Sequence, residues 1–107
     1  MHTTRINFLE EQLAQHGEDS FVRYALAKEY ESQGDLQAAL VHFSLLREND
    51  SDYVGLYYHL GHLYIAMDEK EKALSTFQEG IEVARKLHDQ HALAELQNAR
   101  VNLTMEM

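Results

Sequence analysis

His59 and His62 lie three residues apart, and in a helix that spacing sets two imidazoles on one face, close enough to share a metal ion. Two ligands do not make a site. A closed transition-metal site wants four donors, no cysteine is present to supply a thiolate, and sequence alone does not bring His42, His88 or His91 to the pair. The carboxylate pair Glu10-Glu11 reads as a solvated surface pair. Glu69 and Glu71 read as charge at a helix start, where they complement the helix dipole. No glycine-rich phosphate loop and no Ser-His-Asp arrangement stands out. The expectation is a protein that is not an enzyme and that carries neither metal nor cofactor.

A non-catalytic chain works through its surface. With 18 acidic against 9 basic side chains, the formal net charge is −9, and Arg85-Lys86 is the only adjacent pair of bases. Nucleic acid needs a clustered basic footprint, so DNA, RNA and anionic membrane are excluded as expected partners. No window approaches the ~20 uncharged apolar residues of a membrane span. Residues 1–11 lack the apolar run of a secretory leader, since Glu10 and Glu11 follow only scattered hydrophobics, and the expected location is the cytoplasm. At 107 residues the chain suits one domain, 1–107, able to bury a core without staples.

The elements that build this surface show in a repeat. Residues 20–53 and 54–87 carry one pattern twice, offset by 34 residues: Tyr24 recurs as Tyr58, Leu26 as Leu60, Tyr30 as Tyr64, Ala39 as Ala73, Leu40 as Leu74 and Phe43 as Phe77, and Ala27 is matched by another small residue, Gly61. A period of that length signals stacked helical hairpins, which present a continuous surface and have no obligatory catalytic cleft.

Apolar spacing predicts six helices. The first runs from about Thr4 to Gln15, with Ile6, Leu9 and Leu13 on one face, and closes at Gly17. The second, about Ser20 to Gln33, is capped by Asp19 and closed by Gly34, and the third follows Asp35 and runs to about Glu48. So short a link forces that pair antiparallel. After the turn formers Asn49-Asp50-Ser51-Asp52, a fourth helix from about Tyr53 to Met67 is apolar or aromatic nearly all round, which predicts cover on several sides. Asp68 and Glu71 have capping-box spacing at the start of a longer fifth helix, in which Gly80 predicts close backbone approach. Asp89 caps the last segment, about Gln90 to Thr104, where Ala92, Leu93, Leu96, Ala99 and Leu103 form the stripe.

With Leu60-Gly61, Tyr64, Ala73 and Phe77 in one copy and Leu26-Ala27, Tyr30, Gly34-Asp35, Ala39 and Phe43 in the other, the chain resembles the tetratricopeptide repeat, in its short stand-alone bacterial form. Residues 4–16 resemble a preceding second-type helix and 89–105 a capping helix, flanking repeats at 20–53 and 54–87. The resemblance implies an all-α fold of six helices, its hairpins stacked in a right-handed superhelix, with Tyr30, Tyr64, Phe43 and Phe77 filling the wedge between hairpins. The sequence departs from the family at Ser51 and Arg85, where proline is common, and at Arg23, where a bulky aromatic is usual.

By the same resemblance, function lies in the concave side, lined by the first helix of each pair, which grips an extended peptide or helix of another protein. That face maps onto Phe21, Tyr24, Lys28 and Glu31, then Tyr58, His62 and Ile65. The implied role is a protein–protein interaction adaptor, with Tyr24, Tyr58 and His62 foremost. The alternative is a self-associating structural protein using this aromatic stripe as a homodimer interface. The family's carboxylate clamp is not implied, because His62 stands where its Asn would sit.

Overall fold

The structure, a computed structural model, describes the backbone of residues 2–107 and the side chains of residues 4–107. The described residues form six helices: α1 (His2–His16), α2 (Ser20–Ser32), α3 (Leu36–Asn49), α4 (Gly55–Ala66), α5 (Lys70–Leu87) and α6 (Gln90–Glu106). Among the described residues there is no strand. The helices form two compact units that divide between Tyr53 and Val54, where the second copy of the repeat begins.

In the first unit α2 packs against both α1 and α3. Ile6 and Leu9 of α1 bury against Leu26, with Leu13, Val22, Ala25 and Tyr30 packed around them. On α3 the residues spaced for one face, Ala39, Phe43 and Leu46, are fully buried. In the second unit α5 packs against α4 and α6, and α4 also touches α6. Its core holds Leu56, Tyr57, Leu60 and Leu63 of α4, Ala73, Phe77, Ile81 and Ala84 of α5, and Leu96, Ala99 and Leu103 of α6. Burial of each large side chain contributes about 1.5–3 kcal/mol.

Two glycines of this unit set how closely its helices approach. A Cβ on Gly61 would strike the Phe77 ring, and one on Gly80 would come 2.5 Å from Cβ of Tyr57, so α4 and α5 lie nearer than any side chain at those positions allows. The close approach expected at Gly80 is thus present. Phe43 and Phe77 are fully buried, whereas the tyrosines expected beside them are not. Tyr30 and Tyr64 are half-buried, because their hydroxyls prefer the polar edge.

Helix ends follow capping chemistry, with two corrections. Asp19, Asp35 and Asp89 each accept from the amide three residues further on, those of Val22, Ala38 and Ala92. Asp68 does not cap α5. It adopts φ 61°, outside the conformation an N-cap requires, and closes α4 instead: its amide bonds the Ile65 carbonyl and the Glu69 amide bonds that of Tyr64. This is the pattern Gly34 uses at the end of α2, with bonds from Gly34 to Glu31 and from Asp35 to Tyr30, and His88 repeats it after α5. The α5 N-cap is Glu69, which makes no side-chain cap bond. The second correction concerns α4, which begins at Gly55 and not at Tyr53. The Tyr53 amide is engaged by the Asp50 carbonyl in the preceding turn, and the apolar N-cap Val54 has no acceptor to offer.

Candidate functional site

Helix α4 is covered on several sides, as its composition predicts, by α5 and α6, and one face stays open. Tyr58 and Ile65 are half-buried and His62 is exposed, because the face carrying them opens onto a groove whose far wall is α6. The groove holds about 380 Å³, and from α6 it is lined by Glu95, Asn98, Ala99, Asn102, Leu103 and Glu106. Its aromatic edge is held in place. His62 sits 4.6 Å from the Tyr58 ring and 5.3 Å from that of Phe77, both edge-on, so the imidazole bridges the groove surface to the core. Tyr58 also meets His59 edge-on at 5.8 Å. Among the described residues no three His, Cys, Asp or Glu side chains converge as a metal site.

The α6 wall was not legible as a site, because α6 does not repeat the pattern of α4. A signal was present nonetheless. Residues 95, 98, 102 and 106 succeed one another at helical spacing, a polar stripe beside the apolar stripe of Leu96, Ala99 and Leu103. An asparagine amide both donates and accepts, which is the chemistry a peptide group asks of a partner.

The remaining predicted residues belong to the first unit. Phe21, Tyr24 and Lys28 line a depression of about 310 Å³ with Arg5, Ala25, Glu29 and Ser32. Tyr24 is wedged against Tyr53 at 5.1 Å and meets Phe43 edge-on at 6.4 Å, and Lys28 places its ammonium 5.0 Å from the Tyr24 ring centroid. Arg5 and Glu29 pair at 3.0 Å along one side. Phe21 is 70% exposed, far more than its size favours. Glu31 is half-buried and does not line this depression.

Arg23, the residue that departs from the family pattern, organises a polar network in the same unit. Its guanidinium pairs with Glu18, and its Nη1 donates to His42 Nδ1 at 2.9 Å. Arginine has no acceptor, so that ring nitrogen must be unprotonated. Burial, and then the neighbouring Arg23 charge, lower the His42 pKa below its ordinary value. The hydrogen bond from Arg23 lowers the Glu18 carboxyl. Tyr30 stacks on His42 at 5.4 Å and donates its hydroxyl to Glu10 at 2.9 Å. Burial, and then that contact with Glu10, raise the Tyr30 pKa.

Comparison with known proteins places this geometry. The family model of the tetratricopeptide repeat matches residues 30–99, about two-thirds of the chain. The chain belongs to the tetratricopeptide-repeat family. A tetratricopeptide repeat domain protein from Salinibacter ruber is similar in two structures. Its crystal structure is 46% identical, covering 80% of this chain and 97% of that one with a TM-score of 0.77. Its solution NMR structure is 48% identical, covering 80% and 87% with a TM-score of 0.78. The solution structure of a Bordetella parapertussis protein is 27% identical, covering 94% of this chain and 88% of that one with a TM-score of 0.83. Comparison with the curated proteins returns no match. Tetratricopeptide repeats generally mediate protein–protein interaction, and the family is generally non-catalytic. No helix among the described residues is long and apolar enough to cross a membrane.

Proposed function

We propose that this tetratricopeptide-repeat chain is a non-catalytic adaptor that holds a segment of a partner protein in the groove between α4 and α6. The observation that carries this reading is the pairing across one groove of an aromatic and apolar wall, Tyr58, His62 and Ile65, with a wall bearing the amides of Asn98 and Asn102. A segment lying there gains apolar contact on one side and hydrogen bonds for its backbone on the other, the two things an exposed peptide lacks. Tyr58 and Tyr24 have the residue type of binding hot spots, and the depression around Phe21, Tyr24 and Lys28 is a second contact surface within this reading. The acidic balance of 18 against 9 supports a protein partner over a nucleic acid. The reading includes a cytoplasmic location, checked by fractionation of the source cells.

The test is an amide-shift titration of the labelled protein with a panel of extended decapeptides. Shifts gathered at residues 58, 62, 65, 98 and 102, and lost in Tyr58→Ala/Asn102→Ala, are the expected result. Shifts confined to other residues refute it. The exposure of Phe21 favours a second reading, in which the aromatic stripe joins two copies of the chain. Light scattering separates the two, since a tight dimer dissociated by Phe21→Glu and Tyr58→Glu supports self-association.

A further inference from the structure

The charge and spacing of the α6 wall specify the partner segment more closely, an inference that rests on the groove between α4 and α6 being the binding site. Lys and Arg are absent from the described residues that line the groove, whereas Glu95 and Glu106 stand toward its two ends. Glu95 has the exposed His91 imidazole 3.6 Å away, and Glu106 also borders a depression shared with Asp68, Glu69 and Glu71 beside Lys70. A cation is therefore favoured along the groove and an anion repelled.

Helix rise sets the spacing. Asn98 and Asn102 are separated by roughly 6 Å along the α6 axis, and Glu95 and Glu106 by roughly 16 Å, at 1.5 Å per residue. An extended chain advances ~3.3 Å per residue and presents like groups every second residue. The two amides thus match peptide groups two residues apart. Side chains four residues apart share a face and span ~13 Å, and the reach of long Lys or Arg side chains covers the rest of the distance between the two carboxylates. Tyr58, Ile65 and Leu103 supply the apolar surface between them.

We propose that the groove selects an extended cationic segment in which two Lys or Arg side chains four residues apart meet Glu95 and Glu106 and the apolar side chain midway between them, on the same face, rests on the surface supplied by Tyr58, Ile65 and Leu103. The occupant is a basic stretch of another protein.

The test uses the full chain and fluorescence anisotropy with the labelled peptide Arg-Ala-Leu-Ala-Arg, a version with Gln at both ends and a version with Glu at both ends. The Arg peptide is expected to bind about five-fold tighter than the Gln peptide at low salt, with the Glu peptide weakest, and the preference to shrink at high salt. Glu95→Gln and Glu106→Gln each reduce the Arg preference about two-fold, and the double variant abolishes it while still binding the Gln peptide. Equal binding of Arg and Gln peptides overturns the charge selection and leaves the groove reading standing. Binding of neither overturns both. An Arg preference that survives in the double variant puts the cation elsewhere and overturns the assignment, as does a tight dimer dissociated by Tyr58→Glu, which gives the groove to a second copy.

Discussion

Replacing Gly61 by alanine sets two effects of opposite sign against each other. Alanine in a helix interior is favoured over glycine by about 1 kcal/mol, which alone stabilises α4. The new methyl, however, would lie 2.6 Å from Cδ1 and 2.7 Å from Cζ of Phe77, whereas carbon atoms rest at about 3.5–4.0 Å. The Phe77 ring must retreat by about an ångström, yet it is fully buried and has nowhere open to go. Overpacking of this kind costs about 1–3 kcal/mol and more in tight sites, so steric cost exceeds propensity and the net destabilisation is about 1–2 kcal/mol. A fall in Tm of about 5–10 °C is expected for a chain of this size. The equivalent residue in the first repeat, Ala27, already has its methyl and is fully buried, so Ala27→Gly also destabilises, by about 1–2 kcal/mol, through lost propensity and a lost buried methyl. The assay is urea unfolding monitored by circular dichroism at unchanged m. A Gly61→Ala midpoint equal to or above the parent's refutes the close contact between α4 and α5.

Packing, turns and charge carry further expected outcomes. Phe43→Ala and Phe77→Ala each cost about 3–5 kcal/mol in urea unfolding, while half-buried Tyr64→Ala costs about 1–2 kcal/mol; a Tyr64 cost equal to that of Phe77 contradicts the difference in burial. Asp68→Gly raises stability by about 0.5–1 kcal/mol, since φ 61° suits glycine better than aspartate, and a lower Tm contradicts the left-handed closure. For His42, whose folded pKa is depressed by burial and then by Arg23, the unfolded chain binds more protons. Its contribution to stability is whole above the unfolded pKa of about 6.5 and is lost as pH falls from there through the lower folded value. Between pH 7 and 5 the decline in Tm is shallower in His42→Gln than in the parent, and parallel profiles refute the depression.

The interior is readable because two copies of one pattern place small and aromatic residues at matching helical positions, and burial obeys that periodicity at Ala39, Phe43, Ala73 and Phe77. Caps at Asp19, Asp35 and Asp89 are readable because a short acceptor before an apolar run has one common use. Asp68 misleads for the same reason. Its type suits an N-cap, and only the backbone shows that the chain needs a left-handed residue there, where the first copy has Gly34. Half of the groove is visible on α4, but its other half depends on which face α6 turns toward α4, and Asn98 and Asn102 have no counterpart in the repeat to mark them. Arg23 breaks the aromatic pattern that Tyr57 keeps, and its reason lies in Glu18 and His42, residues whose approach no spacing rule announces.

The turn at Asp68 also bears on how the groove receives its occupant. Its amide holds the carbonyl of Ile65, a wall residue, through a backbone conformation that costs an aspartate more than a glycine. At the other end of the wall, Tyr58 is braced through His62 to the interior by edge-on ring contacts. The two ends of the α4 wall are thus held by different means, a backbone turn after Ile65 and packed rings beneath Tyr58, so Asp68→Gly alters the hold on Ile65 and leaves that on Tyr58 unchanged.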